Sequence, residues 1–309
     1  MREGKNILSA VLFCAAFLAV LFPGSASVYP GSLGQSKGKI KVFVSILPQA
    51  YFVERVGGDR VDVSVMVGPG HSPATYEPMP KQMGELSKAK LYFRIGVPFE
   101  NIWMARISKA NPNMKVIDTR RGIAFLAARR HQHAEDEQHT EGHPETSGLG
   151  NPHIWTSLRL VKIQAQNICD ALIAEDLTHR VYYQGNLGAF CDDLDKLDAE
   201  IAEILKGVKA RKFMAFHPAW EYFARDYGLV QMPIEIDGKQ PSAKSLARLI
   251  EQALQQGIRV VFVQKQFSKE SAGAVARAIK GKVVQIDPLA KDYLTNMRKI
   301  AETFAKVMQ

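Results

Sequence analysis

The sequence is poor in cysteine, with only three among 309 residues. Beyond its first two dozen residues it has no apolar run of the roughly 20 needed to span a bilayer, so no internal membrane helix is expected. Lysine and arginine are scattered, and the only Arg-Arg pairs are Arg120-Arg121 and Arg129-Arg130, which argues against a nucleic-acid stripe despite the net charge of +9. The spacing His-Glu-x-x-His of zinc hydrolases is also missing. What remains is 46% hydrophobic and 23% charged, an ordinary globular composition at a length suited to two lobes.

The amino terminus is different in kind. A short positive start, Met1 to Asn6, leads into an apolar or small run from Ile7 to Phe22 and then to Pro23-Gly24-Ser25-Ala26. This is the pattern of a secretory signal peptide over residues 1–26, with cleavage expected after Ala26 and an uncleaved anchor as the alternative. Cys14 follows Phe13 where a lipobox needs a small residue, so it belongs to the discarded segment. Cleavage removes Arg2, Lys5 and Glu3, and the charge falls from +9 to +8. Cys169 and Cys191 remain, an even number for an oxidising compartment. They fall on two consecutive predicted helices, and both a disulfide and two buried thiols stay open.

Past a Gly/Ser/Lys-rich lead, β-branched runs alternate with helical patterns. Strands are expected at 41–47, 61–67, 91–96 and 115–118, with helices at 49–56, 80–88 and 99–110 between and after them. A polar stretch runs from 129 to 151. The chain then reads as helical from Ser157 almost to Gly207, interrupted near Asp176, with Thr178 as the expected N-cap of the second helix. A second series follows, with strands at 212–216, 230–236, 259–263 and 283–286 and helices at 219–227, 242–256, 269–279 and 291–307. The expected fold is α/β: a lobe over 27–177, a linking helix over 178–207 and a lobe over 208–309, each with a mostly parallel sheet. Ligands of such sheets bind at the carboxyl ends of the strands.

Residues suited to holding a metal stand at those ends. His71 lies in Gly68-Pro69-Gly70-His71-Ser72-Pro73, directly after a strand. His153 lies in Asn151-Pro152-His153-Ile154-Trp155. His217 follows Met214-Ala215-Phe216, and Asp287 follows Val284-Gln285-Ile286. Each has an ordinary alternative, a surface or core histidine or a turn-forming aspartate. Together, three imidazoles and a carboxylate match the donor types and number that Zn²⁺ prefers.

On these motifs the sequence resembles the zinc and manganese solute-binding proteins of ABC importers, the ZnuA/TroA group (cluster A-I). The resemblance covers nearly the whole mature chain. It rests on Ser72-Pro73-Ala74-Thr75-Tyr76-Glu77-Pro78, on Asn151 to Trp155, on Phe216-His217-Pro218-Ala219-Trp220-Glu221-Tyr222-Phe223-Ala224, and on Ile286-Asp287-Pro288-Leu289. It implies a periplasmic or otherwise extracytoplasmic receptor, not an enzyme, that holds Zn²⁺ in the interlobe cleft and delivers it to an ABC permease. Mn²⁺ or Fe²⁺ is the alternative cargo. By resemblance His153, His217 and Asp287 are ligands and the long helix is the interdomain backbone. The first motif departs from the family form, which has its ligand histidine where Ala74 stands. His71, three residues earlier, is the expected substitute, with water or Glu77 as the other way to complete the shell.

His131, His133, His139 and His143 stand among acidic residues in the polar stretch, whose composition cannot build a core. A weak metal-collecting surface loop is the functional reading. Glu221 is expected as an exposed helix residue, as a candidate metal ligand or as a partner orienting a ligand. A secreted zinc hydrolase with Glu77 or Glu221 as general base is the rival from another class, and an adhesin with a structural metal is a third. A monomer without nucleic-acid partners is expected.

Overall fold

The computed structural model describes residues 38–126, 150–235, 241–267 and 269–309. The expected signal segment 1–26 and the four histidines of 131–143 lie outside the described residues.

The first half alternates β1 (Ile40–Ile46), α1 (Leu47–Gly57), β2 (Val61–Val67), α2 (Pro80–Leu86), β3 (Leu91–Arg94), α3 (Pro98–Ala110) and β4 (Lys115–Asp118). All pairings are parallel, in the order β2-β1-β3-β4. Along β1 the consecutive residues Val42, Phe43 and Val44 are all buried, because helices cover both faces of the sheet.

Two long helices follow. Ser157 starts α4 (Leu158–Glu175), its Oγ accepting from the Leu160 N–H at 3.2 Å, and α5 (Arg180–Lys206) runs for 27 residues, about 40 Å at the standard rise. The expected cap at Thr178 is not found. Thr178 sits inside a 3₁₀ turn, Leu177–His179, and His179 occupies the N-cap position without a side-chain capping bond to the helix. That turn already pairs the His179 N–H with the Asp176 carbonyl, while the Asp176 carboxylate bonds His179 Nδ1 and accepts from the Tyr183 hydroxyl, so the Thr178 hydroxyl is not needed.

The second half repeats the first with β5 (Lys212–Ala215), α6 (Glu221–Asp226), β6 (Val230–Pro233), α7 (Ala243–Gln255), β7 (Val260–Val263), α8 (Lys269–Ala278), β8 (Lys282–Gln285) and α9 (Tyr293–Val307). Its sheet is again all parallel, in the order β6-β5-β7-β8. In both sheets the chain leaves the first strand in one direction and returns to its other side, so the crevice for a ligand lies beyond β1/β3 and beyond β5/β7.

A shared aromatic core joins the lobes. Phe190 of α5 packs against Phe52 of α1 at 6.0 Å, and Phe52 meets Tyr293 of α9 edge-on at 4.9 Å. One contiguous cluster of buried residues includes α1, α5 and α9 together with Trp220 and Phe262 of the second lobe. Among the described residues no helix is long and apolar enough to cross a membrane. Of the two states left open for Cys169 and Cys191, the structure has free thiols. Burial pushes the Cys169 thiol up to about 11, which disfavours the thiolate needed for exchange.

Candidate metal-binding cleft

His217 is delivered by the C-terminal end of β5. Past the strand, the Phe216 N–H still donates to the Phe262 carbonyl at 2.8 Å, and His217 then leaves the sheet at the β5/β7 crevice. Gln264, which follows β7, holds the His217 backbone from both sides: its Nε2 donates to the His217 carbonyl at 2.9 Å, and its Oε1 accepts the His217 N–H at 3.4 Å. Gln264 is buried, so the amide is committed to this task. On the other side the β6 pairing extends beyond the strand, with the Glu235 N–H donating to the Phe216 carbonyl at 2.9 Å. That register sets Glu235 beside His217, and its Oε2 lies 2.8 Å from His217 Nδ1. Phe267 stacks on the imidazole, 17° from coplanar at 5.2 Å.

His153 enters from the other lobe, just ahead of a 3₁₀ turn at Ile154–Thr156. Asn151 Oδ1 accepts from the His153 backbone N–H at 3.0 Å and lies 2.8 Å from His153 Nδ1. The amide nitrogen of Asn151 donates to Glu221 Oε2 at 2.8 Å, which fixes which end of the amide faces the histidine. Tyr222 adds a bond from its hydroxyl to the Asn151 carbonyl at 2.8 Å. Glu221 is therefore linked to the His153 ring through Asn151.

These bonds determine the chemistry of the pair. An oxygen acceptor faces Nδ1 of each ring, so each Nδ1 carries the hydrogen and each Nε2 presents a bare lone pair. The two Nε2 atoms lie 3.0 Å apart. Two acceptors at that distance repel unless a cation or a proton stands between them. Burial, and after it the neighbouring His217, holds the His153 pKa well below the usual imidazole value. A neutral ring is the form that binds a metal.

The pair forms part of the wall of a cleft whose other walls include Trp155, Phe267, Val97, Pro98 and Ala74. Trp155 is tied across the lobes, donating from its indole to the Pro288 carbonyl at 2.8 Å, while its own carbonyl accepts from the Tyr293 hydroxyl at 2.8 Å. Val97 and Pro98 are placed by a turn at Gly96, whose φ of +85° favours glycine and where a Cβ would meet the Arg120 guanidinium at 2.2 Å. Buried Glu100 secures that turn by accepting the Ile95 and Gly96 N–H groups, each at 2.8 Å.

The other expected donors are placed differently. Asp287 follows β8, where its Oδ1 accepts the Leu289 N–H at 2.9 Å and its Oδ2 lies 3.4 Å from the Lys265 ammonium. His71 is exposed in a neighbouring pocket with Thr75, Tyr76, Glu77 and Met79. Its ring meets Tyr76 edge-on at 5.6 Å, and Tyr76 is held in turn by Phe99 and by a hydroxyl bond to Gln82. Glu77 shares that pocket and is exposed. Among the described residues, no group of three or more His, Cys, Asp or Glu is gathered at metal-holding distance. The structure thus joins His153 with His217 and leaves His71, Glu77 and Asp287 apart from them.

Residues 42–307 match the family described as zinc-uptake complex component A, periplasmic. The chain belongs to this family. The high-affinity zinc uptake system protein ZnuA of Bacillus subtilis is 27% identical over 90% of this chain and 87% of its own length. Two solved structures, a ZnuA and a ZnuA deletion mutant of residues 138–173 with zinc bound, each share 41% identity over 88% of this chain with a TM-score of 0.79. The family consists of zinc-binding, substrate-binding components of ABC importers, which carry their ligand without chemical turnover, so the hydrolase alternative is set aside. Sequence reasoning missed Glu235 and Gln264 and gave Asn151 no role. The only signal for Glu235 was a charge in an apolar alternation, Ile234-Glu235-Ile236, at a strand end.

Proposed function

We propose that this chain is the extracytoplasmic zinc receptor of an ABC importer, exported by cleavage after Ala26, loading Zn²⁺ on the Nε2 atoms of His153 and His217 and handing it to the cognate permease. The observation that carries the reading is the pair of oriented lone pairs 3.0 Å apart. Opening that pair around an ion at the usual Zn–N distance of about 2.0–2.1 Å needs only a small displacement of either ring. Asp287 is the third donor in this reading, released from Lys265 as the ion takes over its charge. Two imidazoles favour zinc over manganese, whose sites lean on oxygen donors. The histidines of 131–143 act as the weak collecting loop. The test is isothermal titration of the mature protein, of His153→Ala, and of a variant lacking 131–143. One tight site is expected in the parent and in the loop deletion, and none in His153→Ala. Tight binding that survives His153→Ala, or disappears with the loop, refutes the assignment.

A further inference from the structure

Two adjacent strands end side by side in the second lobe. β7 and β8 pair as far as Val263 and Gln285, and a further bond from the Ile286 N–H to the Val263 carbonyl at 3.0 Å carries the pairing past the strand ends. Lys265 and Asp287 therefore emerge as neighbours at the carboxyl edge of the sheet, where such sheets bind their ligands. Asp287 is held on two sides: its carbonyl accepts from the Asn296 amide at 2.8 Å, and its Oδ1 accepts the Leu289 N–H at 2.9 Å. Its other oxygen, Oδ2, faces the Lys265 ammonium at 3.4 Å. The Asp287 side chain is 19% exposed and that of Lys265 is 62% exposed. The ammonium can thus withdraw into water at little cost while the carboxylate stays in place. Gln264, the residue before Lys265, clamps the His217 backbone, so one short segment after β7 touches both His217 and Asp287.

We propose that Lys265 is a built-in competitor for zinc, whose ammonium stands at Asp287 in the unloaded protein and whose charge lowers affinity and speeds release. This rests on the reading of His153, His217 and Asp287 as the zinc donors. An arriving ion must displace the ammonium from Oδ2 and then bear a like charge nearby, and both effects oppose binding. As the ion leaves, the lysine pairs with the carboxylate again, so that a mostly buried charge is not left without a partner. A receptor that must hand its cargo on is served by such weakening, whereas a structural metal site is not. An exposed ion pair is worth little, so Lys265 tunes the site without building it.

The experiment compares the mature protein with Lys265→Met, Lys265→Arg, Asp287→Asn and the double variant Lys265→Met/Asp287→Asn. Zinc affinity is read by competition against chelators of graded strength, and release by stopped flow into excess chelator at physiological ionic strength. We expect Lys265→Met to bind zinc about tenfold more tightly. Most of the gain should lie in slower release, because a single exposed charge is screened beyond about 8 Å in that medium and hardly acts on the approaching ion. Lys265→Arg supplies a cation again and should bring affinity back toward the parent's. In the Asp287→Asn background the gain from Lys265→Met should shrink to about twofold or less, because no carboxylate then keeps the ammonium at the site. Zinc binding in Lys265→Met that equals or falls below the parent's overturns the inference and leaves the zinc site standing. An equal gain in Lys265→Arg, or an undiminished gain in the Asp287→Asn background, also overturns it. Parent-like binding by Asp287→Asn removes Asp287 from the shell and the inference with it. Failure of the parent to retain zinc overturns the donor reading itself.

Discussion

At the scale of single residues, the arrangement turns on which nitrogen of each imidazole is free. Glu235 has no contact with an incoming ion in this arrangement, yet it decides the His217 tautomer by facing Nδ1 at 2.8 Å. Glu235→Gln keeps the shape and removes the charge that supports a positively polarised ring. We expect zinc affinity to fall roughly 10- to 100-fold, the usual effect of losing a carboxylate behind a metal-bound histidine. Competition against a fluorescent chelator measures it, and an unchanged circular dichroism spectrum should show that the fold persists. His71 provides the contrast. Its loop sequence suggested a ligand, but its ring lies against Tyr76, so His71→Ala should change zinc affinity by less than about tenfold, whereas His153→Ala costs several kcal/mol by removing an inner bond. Comparable losses in the two variants would return His71 to the site.

At the scale of elements, the strands and helices were legible because a sheet covered on both faces needs uninterrupted apolar runs. Val61–Val67 and Lys115–Asp118 were read to the residue. The loops that finish the site were less legible, since their roles depend on partners far away in sequence. Asn151 meets Glu221 70 positions on, and Gln264 meets His217 47 positions back. No local pattern encodes such meetings. Glu100 is another case: a charge on a helical face whose task, closing the β3–α3 turn, is visible only in three dimensions. Its carboxylate also accepts from the Ser45 hydroxyl at 2.6 Å and is paired with Arg94. Glu100→Ala leaves these buried donors without partners and should destabilise the protein by about 3–5 kcal/mol in urea unfolding. Burial raises the Glu100 pKa above its ordinary value despite those bonds. The native state therefore holds this proton more firmly than the unfolded chain does, and the group's contribution to stability declines as pH rises through the window above about 4.5. Urea midpoints of the parent relative to Glu100→Gln should show that decline, and a difference that grows with pH across this window would contradict it.

At the scale of the whole molecule, the two sheets share more than a tether. Helix α5 packs on α1, α4 and α9, and Phe190, Phe52 and Tyr293 close the junction. Further bonds cross between the halves beside the cleft, from Trp155 to Pro288, from Tyr293 to Trp155 and from Asn151 to Glu221. Hinged receptors close widely because their lobes are joined by a few flexible strands. Here a rigid helix and a continuous core oppose such motion, so the ion is gained by adjusting side chains and cleft loops. Three outcomes follow. The radius of gyration, about 18–19 Å for a compact chain of this size, should change by less than about 1 Å between zinc-loaded and chelator-treated protein in X-ray scattering. Thermal unfolding should be a single transition in both forms, since neither lobe can melt without exposing the core it shares with the other. Zinc should shift that transition upward as one unit, by about 4 kcal/mol of stabilisation when free zinc exceeds its dissociation constant a thousandfold. Two resolved transitions, with only one of them moved by zinc, would mean that the lobes fold independently and that α5 is a linker and not a spine.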